Sequence, residues 1–352
     1  MIYDLAIIGA GPAGATLARE LGRTADLNIL LVDGIPDGGS KVCGGLLSED
    51  AQELLAKMGL TLPRSVLEEE QIFAVDTIDL VRRMTVTYGR SYLNMDRGRF
   101  DRWLISLIPE RVSLLEARCT GIEKADGIFR LTLSKNSEKS EIQARMIVGA
   151  DGASSIVRRT LYKERKIKKF ASIQEWYRIK DARLPDYSCI FDKETSPSCS
   201  WTVRKGEYLV FGGAFESSGC RGAFDRQKER LEDYLGVKLG EPEKKEACLV
   251  CSPRGGRDMI TGEGGAYLVG EAAGFISASS FEGISSAMLS GKLLAEAIAE
   301  GDDDSTIARA YQKKTAPLRR KLLLKIPKMR ILTSPTLRYL IMKSGVTSIK
   351  KY

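Results

Sequence analysis

Residues 3–14 read Tyr-Asp-Leu-Ala-Ile-Ile-Gly-Ala-Gly-Pro-Ala-Gly, and the fold turns on how this stretch is read. Leu5, Ala6, Ile7 and Ile8 form a short unbroken apolar run, the pattern of a parallel strand buried on both faces. The run stops at Gly9-x-Gly11-x-x-Gly14, after which Ala13, Leu17, Ala18 and Leu21 recur at helical spacing. A strand, a glycine turn and a helix N-terminus in this order make a pyrophosphate site. Gly9 permits the turn, Gly11 lets backbone approach a phosphate without a Cβ, and Gly14 lets helix and strand pack closely. Pro12 and Ala13 complete the turn. The next apolar strand, residues 28–33, ends in Asp33, nineteen residues beyond Gly14, where a carboxylate accepts hydrogen bonds from ribose hydroxyls. A glycine turn in an ordinary α/β protein is the plainer alternative. The strand before, the helix after and Asp33 behind favour a dinucleotide site.

Composition narrows the chemistry. The chain has 352 residues, enough for two domains or one elaborated one, and no apolar run reaches the ~18 residues of a membrane span. It opens directly on a strand, so a cleaved signal peptide is not expected. Seven scattered cysteines, an odd number, point to a reducing cytoplasm. Histidine is absent, which removes the commonest general base, the commonest metal ligand and every Ser-His or Cys-His nucleophile pair. The chemistry is therefore expected from a cofactor. The net charge of +8 is uneven: residues 305–352 hold thirteen Lys/Arg and no Asp/Glu, leaving the first 304 residues at −5.

Along the chain, a glycine-rich loop (34–45) precedes a helix near 48–58, with Ser48 as its N-cap. Residues 71–94 alternate as antiparallel strands, and a helix opens after Met95. Residues 112–148 give short strands with a hairpin at Asp126-Gly127, ending in Gly149-Ala-Asp151-Gly152. Residues 170–255 are strand-rich and aromatic, interrupted by a helix over 224–235. A last parallel strand runs into Gly270-Glu271-Ala-Ala273-Gly274, and a long helix follows from Gly283-Ile284 to about Ala299.

Three glycine-acid motifs thus stand in order: Gly9/Gly11/Gly14 with Asp33, then Asp151-Gly152, then Gly270-Glu271, with Arg97-x-x-Phe-Asp between the first two. Over residues 1 to about 300 this resembles the FAD-dependent group of aromatic hydroxylases and geranylgeranyl reductases. The resemblance implies FAD, with Asp151 and Gly152 near its pyrophosphate and ribityl region. Glu271, where the family usually has Asp, would hold ribityl hydroxyls, and Arg97 would lie beside the cofactor. Gly270, Ala273 and Gly274 belong to the same motif. The helix starting at Gly283 and Ile284 would aim free N–H groups and a partial positive end at the flavin's pyrimidine edge, stabilising negative charge there. Cys43-Gly44-Gly45-Leu46 resembles the geranylgeranyl-reductase branch, whose Cys-Gly-Gly loop lies beside the flavin at the substrate cavity. Cys43 would donate a proton there or simply pack. Where the branch carries Tyr/Phe-x-Trp-x-Phe-Pro along its lipid cavity, this chain reads Cys199-Ser-Trp201-Thr-Val-Arg204, so only the Trp survives. Trp201 and Trp176 are candidate cavity walls; ordinary core aromatics are the alternative. Cys248-Leu-Val-Cys251 has neither the ligands nor the setting for zinc, and no metal site is expected.

The expected architecture is α/β. A Rossmann-like FAD-binding domain with a parallel sheet comprises 1–70, 95–168 and 256–300. A mixed or antiparallel β-rich substrate domain comprises 71–94 and 169–255, and a basic helical segment covers 301–352. Pro317, Pro327 and Pro335 should break that tail into short helices. Its apolar and basic residues suit an anionic membrane surface or docking on the body; nucleic acid is not expected, because the tail lacks a run of stacking aromatics. The resemblance implies hydride transfer from reduced flavin to C=C bonds of an apolar, isoprenoid-like small molecule or lipid. No second GxGxxG is present, so electrons would come from transiently docked NAD(P)H or a small redox protein. A monooxygenase (hydroxylase) of the same fold and a non-catalytic, membrane-associated flavoprotein are the rivals, and a halogenase is weaker. The expected location is the cytoplasm, with peripheral contact to its membrane.

Overall fold

Four consecutive apolar residues cannot all face one side of a strand, so Leu5–Ile8 must be covered on both. The computed structural model, which describes residues 2–34, 41–179 and 184–349, places them so: none is more than 4% exposed. They end β1 (Ile2–Ile8), followed by α1 (Pro12–Thr24), β2 (Ile29–Asp33), β3 (Leu46–Leu47) and α2 (Glu49–Lys57). Next come β4 (Ile72–Asp79), β5 (Met84–Asn94), α3 (Arg97–Ser106), β6 (Ser113–Glu116), β7 (Arg118–Ala125), β8 (Ile128–Lys135), β9 (Glu138–Gly149) and α4 (Ile156–Leu161). The middle is β10 (Lys169–Arg178), β11 (Tyr187–Phe191), β12 (Cys199–Lys205), β13 (Tyr208–Phe215), α5 (Cys220–Leu235) and β14 (Lys244–Cys251). Then follow β15 (Gly262–Glu263), β16 (Ala266–Leu268), α6 (Ile284–Glu300), α7 (Asp304–Lys314), α8 (Ala316–Thr333) and α9 (Pro335–Ser344). Residues 35–40 of the expected glycine-rich loop lie outside the described residues.

Two eight-stranded sheets result. The first runs β15-β16-β9-β1-β2-β6, with the β7–β8 hairpin attached to β9. Its strands β16, β9, β1, β2 and β6 are parallel, Leu5 lying opposite Ile29 and Met146. The second runs β14-β10-β13-β12-β11-β4-β5-β3 and is antiparallel except for the β11–β4 pair. The fold is therefore α/β, with a Rossmann-like parallel sheet, a mixed β-rich sheet and C-terminal helices. Leu46 and Leu47 pair with Asn94 and Leu93, so β3 belongs to the second sheet.

Three local expectations change. Ser48 takes the N-cap position of α2 without a side-chain cap bond, whereas Asp96 caps α3 through the Arg99 amide at 2.6 Å. α5 starts at Cys220, four residues before the expected start. Pro327 does not break the tail: α8 runs straight through it. The ring of Pro327 lies on the exposed side, while Leu318, Leu322 and Ile326 are buried on the other face and hold the helix against the body. Pro317 and Pro335 sit in the first turns of α8 and α9, where a missing N–H costs nothing.

Close helix packing positions the site. A Cβ on Gly291 of α6 would lie 2.4 Å from the Ala13 carbonyl oxygen, so only glycine lets α6 cross α1 this closely. The start of α6 is thereby brought beside the glycine turn. The tail is docked too. Asp304 accepts from the amides of Gly264 (2.8 Å) and Gly265 (2.6 Å), and Arg338 of α9 is ion-paired to Asp79 of β4 at 2.8 Å, both side chains essentially inaccessible. Among the described residues no helix is long and apolar enough to cross a membrane.

Candidate active site

A cavity of about 1900 Å³ starts at the C-terminal ends of β1, β2 and β9 and continues beneath the second sheet. At one end is the glycine turn. Gly9 has φ +107°, and a Cβ there would meet the Ala150 oxygen at 2.6 Å. Gly11, the N-cap of α1, has nothing within 4 Å of the point its Cβ would occupy, so the helix start looks into open cavity. Gly9, Gly11, Pro12 and Ala13 line the wall with Asp33. Gly14 does not line it: its Cβ would lie 1.9 Å from the Gly9 oxygen, so its role is packing.

Asp151 and Gly152 also line this end, Gly152 at φ +68°. Asp151 Oδ2 accepts from the Ile156 amide at 2.6 Å, while Oδ1 is buried with no partner among the described residues. Burial raises the Asp151 pKa above the usual carboxylate range. Glu271 reaches the wall already engaged. Its Oε1 accepts from the Cys251 amide at 2.8 Å and its Oε2 holds Lys41 Nζ. Burial works against the Lys41 charge, but Glu271 outweighs it and the pKa rises. Gly270, Ala273 and Gly274, expected to touch the cofactor, lie behind the wall. Gly270 takes φ +57° against Ala13, Gly274 takes φ +81° against the Asp258 carbonyl, and Ala273 is fully buried. They shape the turn that presents Glu271. Gly283 and Ile284, the start of α6, do face the cavity.

The Cys43-Gly44-Gly45 loop forms the waist. Cys43 Sγ accepts from the Gly45 amide at 3.4 Å and lies against the part-buried Arg97 guanidinium, which also pairs with Asp101 at 2.8 Å. Burial opposes the Arg97 charge, but Asp101 and Cys43 prevail and raise its pKa. Gly45 takes φ +66°, with Lys205 Nζ behind it. The sequence reading missed Lys205. It is 6% exposed, donates to the carbonyls of Gly45 (3.1 Å) and Met95 (2.8 Å) and to Asn94 Oδ1, and burial lowers its pKa to about 8. Its only sequence signal was a lysine ending a strand, which usually faces solvent.

The far end is apolar. Trp201 lines it beside Gly44, and its Nε1 is buried with no partner among the described residues. Trp176 does not line it. Its Nε1 donates to Glu246 at 2.7 Å and its ring meets Tyr208 edge-on, away from the cavity. Val75, Tyr92, Tyr187 and Val203 of the second sheet continue the wall, and α8 and α9 border it with Leu324, Ile331, Ile341 and Met342. Nothing in the sequence marked the tail as a cavity wall. Tyr92 donates to Glu282 Oε1 at 2.6 Å, and Lys325 of α8 lies 3.9 Å from the same carboxylate, tying tail, second sheet and the approach to α6 together. Cys248 lines the cavity, whereas Cys251 is buried behind it; three residues apart on a strand, they point to opposite faces.

These residues fit a large dinucleotide. Open space lies over Gly11, the buried Asp151 Oδ1 has no partner among the described residues, and the starts of α1 and α6 both line the cavity. The volume is roughly twice the ~1,000 Å³ upper end of ordinary small-molecule sites, enough for a second ligand.

Known proteins share this fold. A geranylgeranyl bacteriochlorophyll reductase-like protein from Thermoplasma acidophilum superposes with a TM-score of 0.80 at 19% identity, over 98% of this chain and 91% of that one. PqsL from Pseudomonas aeruginosa, a probable FAD-dependent monooxygenase, gives 0.71 at 16% identity, over 98% and 99%. The fold is thus the one common to such reductase-like and monooxygenase proteins. Residues 4–171 match the family model described as lycopene cyclase protein. Protein CbrA of Escherichia coli O9:H4 (strain HS) is 42% identical over 352 residues, covering 99% of this chain and 94% of that protein. The chain belongs to the CbrA family.

Proposed function

We propose that this chain is an FAD-dependent oxidoreductase that reduces C=C bonds of an apolar, isoprenoid-like substrate. The observation that carries the reading is the single cavity whose glycine-and-acid end and apolar end meet at the Cys43–Gly45 loop. The open start of α1 at Gly11 suits a pyrophosphate, Asp33 a ribose, and the start of α6 the charged edge of a flavin. FAD, when bound, supplies two electrons at a time. The chain would then have to supply binding, dryness and a proton. Cys43 Sγ is the candidate proton donor, since it lines the cavity at the waist where the glycine-and-acid end meets the apolar end. The electron donor, NAD(P)H or a small redox protein, would dock transiently. The shared fold of PqsL supports a second reading, in which the reducing equivalents pass to oxygen and a hydroxylated product appears.

The deciding test is anaerobic. The purified flavoprotein is reduced, a polyprenyl lipid mixture is added, and the visible flavin band and the lipid mass are followed. Recovery of the band with lipid gaining two hydrogens per step is expected, and Cys43→Ala should abolish it while keeping flavin. Recovery only on admitting oxygen would favour the hydroxylase. A purified chain without flavin, or Gly11→Asp and Glu271→Ala with undiminished flavin, would sink both.

A further inference from the structure

We propose that the outer face of α8 and α9 seats the chain on an anionic lipid bilayer, with the mouth of the apolar compartment opening against the lipid. Seven of the twelve large apolar side chains exposed among the described residues fall between Leu324 and Ile349, too concentrated to be the scattered apolar residues of an ordinary surface. Leu324 is 74% exposed, Val346 65% and Leu340 57%. Four of the seven, Leu324, Ile331, Ile341 and Val346, also line the cavity, so they form its rim.

This face is not one that the body has yet to cover. The opposite faces of the helices already make that contact, through Leu318, Leu322, Ile326 and Met342 and through the buried Arg338–Asp79 pair. The apolar residues left outside therefore point to something other than this chain. Charge identifies it. Residues 305–352 carry thirteen basic and no acidic side chains, against a net −5 for the rest, and Lys328, Arg330 and Lys343 are exposed among the apolar rim residues. Exposed apolar side chains on a segment rich in lysine and arginine, with no carboxylate of its own, match the boundary layer of an anionic bilayer. The proposal rests on the reductase reading only for its purpose, which is to let an apolar substrate pass from lipid into the cavity without crossing water.

The test is flotation of the purified full chain with vesicles of phosphatidylcholine alone or with added phosphatidylglycerol. It is read without any turnover, so its failure is distinguishable from failure of the reductase reading. Wild type should float with the phosphatidylglycerol vesicles, several-fold less at high salt. Leu337→Glu/Leu340→Glu, at outward positions away from the cavity, should lower the partition at least tenfold with flavin content and melting temperature unchanged. Arg330→Gln/Lys343→Gln should weaken it less and flatten its salt dependence. Wild type that never floats, or double-Glu protein that floats like wild type, overturns the proposal. So does a wild-type dimer that the double-Glu variant dissolves without any flotation, which would assign the face to a second copy of the chain.

Discussion

The two ends of the cavity are built by opposite means. The glycine end is backbone: a turn of six residues whose shape depends on the absence of side chains, with clearances of 1.9 Å at Gly14 and 2.6 Å at Gly9 for any added Cβ. The apolar end is side chains, gathered from β4, β5, β11 and β12 and from two helices more than a hundred residues further on. A backbone site tolerates almost no change in volume, because neighbouring carbonyls cannot move aside. A side-chain site tolerates swaps that keep volume, because rotamers can adjust. The largest effect should therefore come from Gly14→Val, which drives a side chain into the Gly9 carbonyl. More than about 4 kcal/mol is expected to be lost in urea unfolding, or soluble protein altogether. Gly11→Ala, three residues away in the open wall, should unfold within about 0.5 kcal/mol of wild type and lose only cofactor. Equal damage from both would break the contrast between packing glycine and binding glycine.

The apolar end has its own rigid point. Arg338→Ala leaves the Asp79 carboxylate buried without its partner, and a loss of about 3–5 kcal/mol is expected by chemical denaturation. Removing both members should recover part of it. A result near zero would mean that α9 is held by its apolar contacts alone.

At the waist, Lys205 makes the comparison one of pH. Its pKa is lowered from 10.5 to about 8 in the folded chain, so between those values the native state binds fewer protons than the unfolded state. Stability should then rise with pH across this window by about 3 kcal/mol at ~1.4 kcal/mol per pH unit, and this contribution should be level below it. Thermal melts from pH 7 to 10.5, taken against Lys205→Met, check this: only the wild type should show this extra rise.

The smallest effects should separate the two tryptophans. Trp176→Phe breaks the 2.7 Å bond to Glu246 and should cost about 0.5–1.5 kcal/mol with no change in ligand binding. Trp201→Phe loses an N–H that has no partner among the described residues, so stability should change less while binding of apolar ligands changes.

The same division governs what could be read in advance. Gly9, Gly11 and Asp33 were legible as cavity residues because the features that make a pyrophosphate turn lie within a few residues of one another. Gly14 was legible for its packing role, for the same reason. The Cys43 loop and Asp151-Gly152 were legible as motifs, and only the family resemblance placed them together. Gly270, Ala273 and Gly274 lie behind the cavity wall, which the motif did not show: a motif names the turn, but not which of its atoms face outward. Trp176 stayed open between cavity wall and core aromatic because a strand residue has two possible sides, and pairing with β14 put its N–H on Glu246. Lys205 could not be read at all, and the tail could be read as a basic helical segment but not as a cavity wall. A lysine is ordinarily a surface residue, and Lys205 is buried only because three oxygens from residues 45, 94 and 95 converge on it.

By itself, then, the sequence determined the strand-turn-helix that opens the chain, the α/β class and the basic, carboxylate-free tail. Each is a property of residues adjacent in the chain, where backbone sterics and local charge act without reference to the rest. Only the tertiary structure decided that Glu271 is already bound to Lys41, that Lys205 braces the Cys43 loop and that α8 and α9 border the cavity. Those contacts join residues tens to hundreds of positions apart, and burial, which gives them their energy, exists only once both sheets have formed.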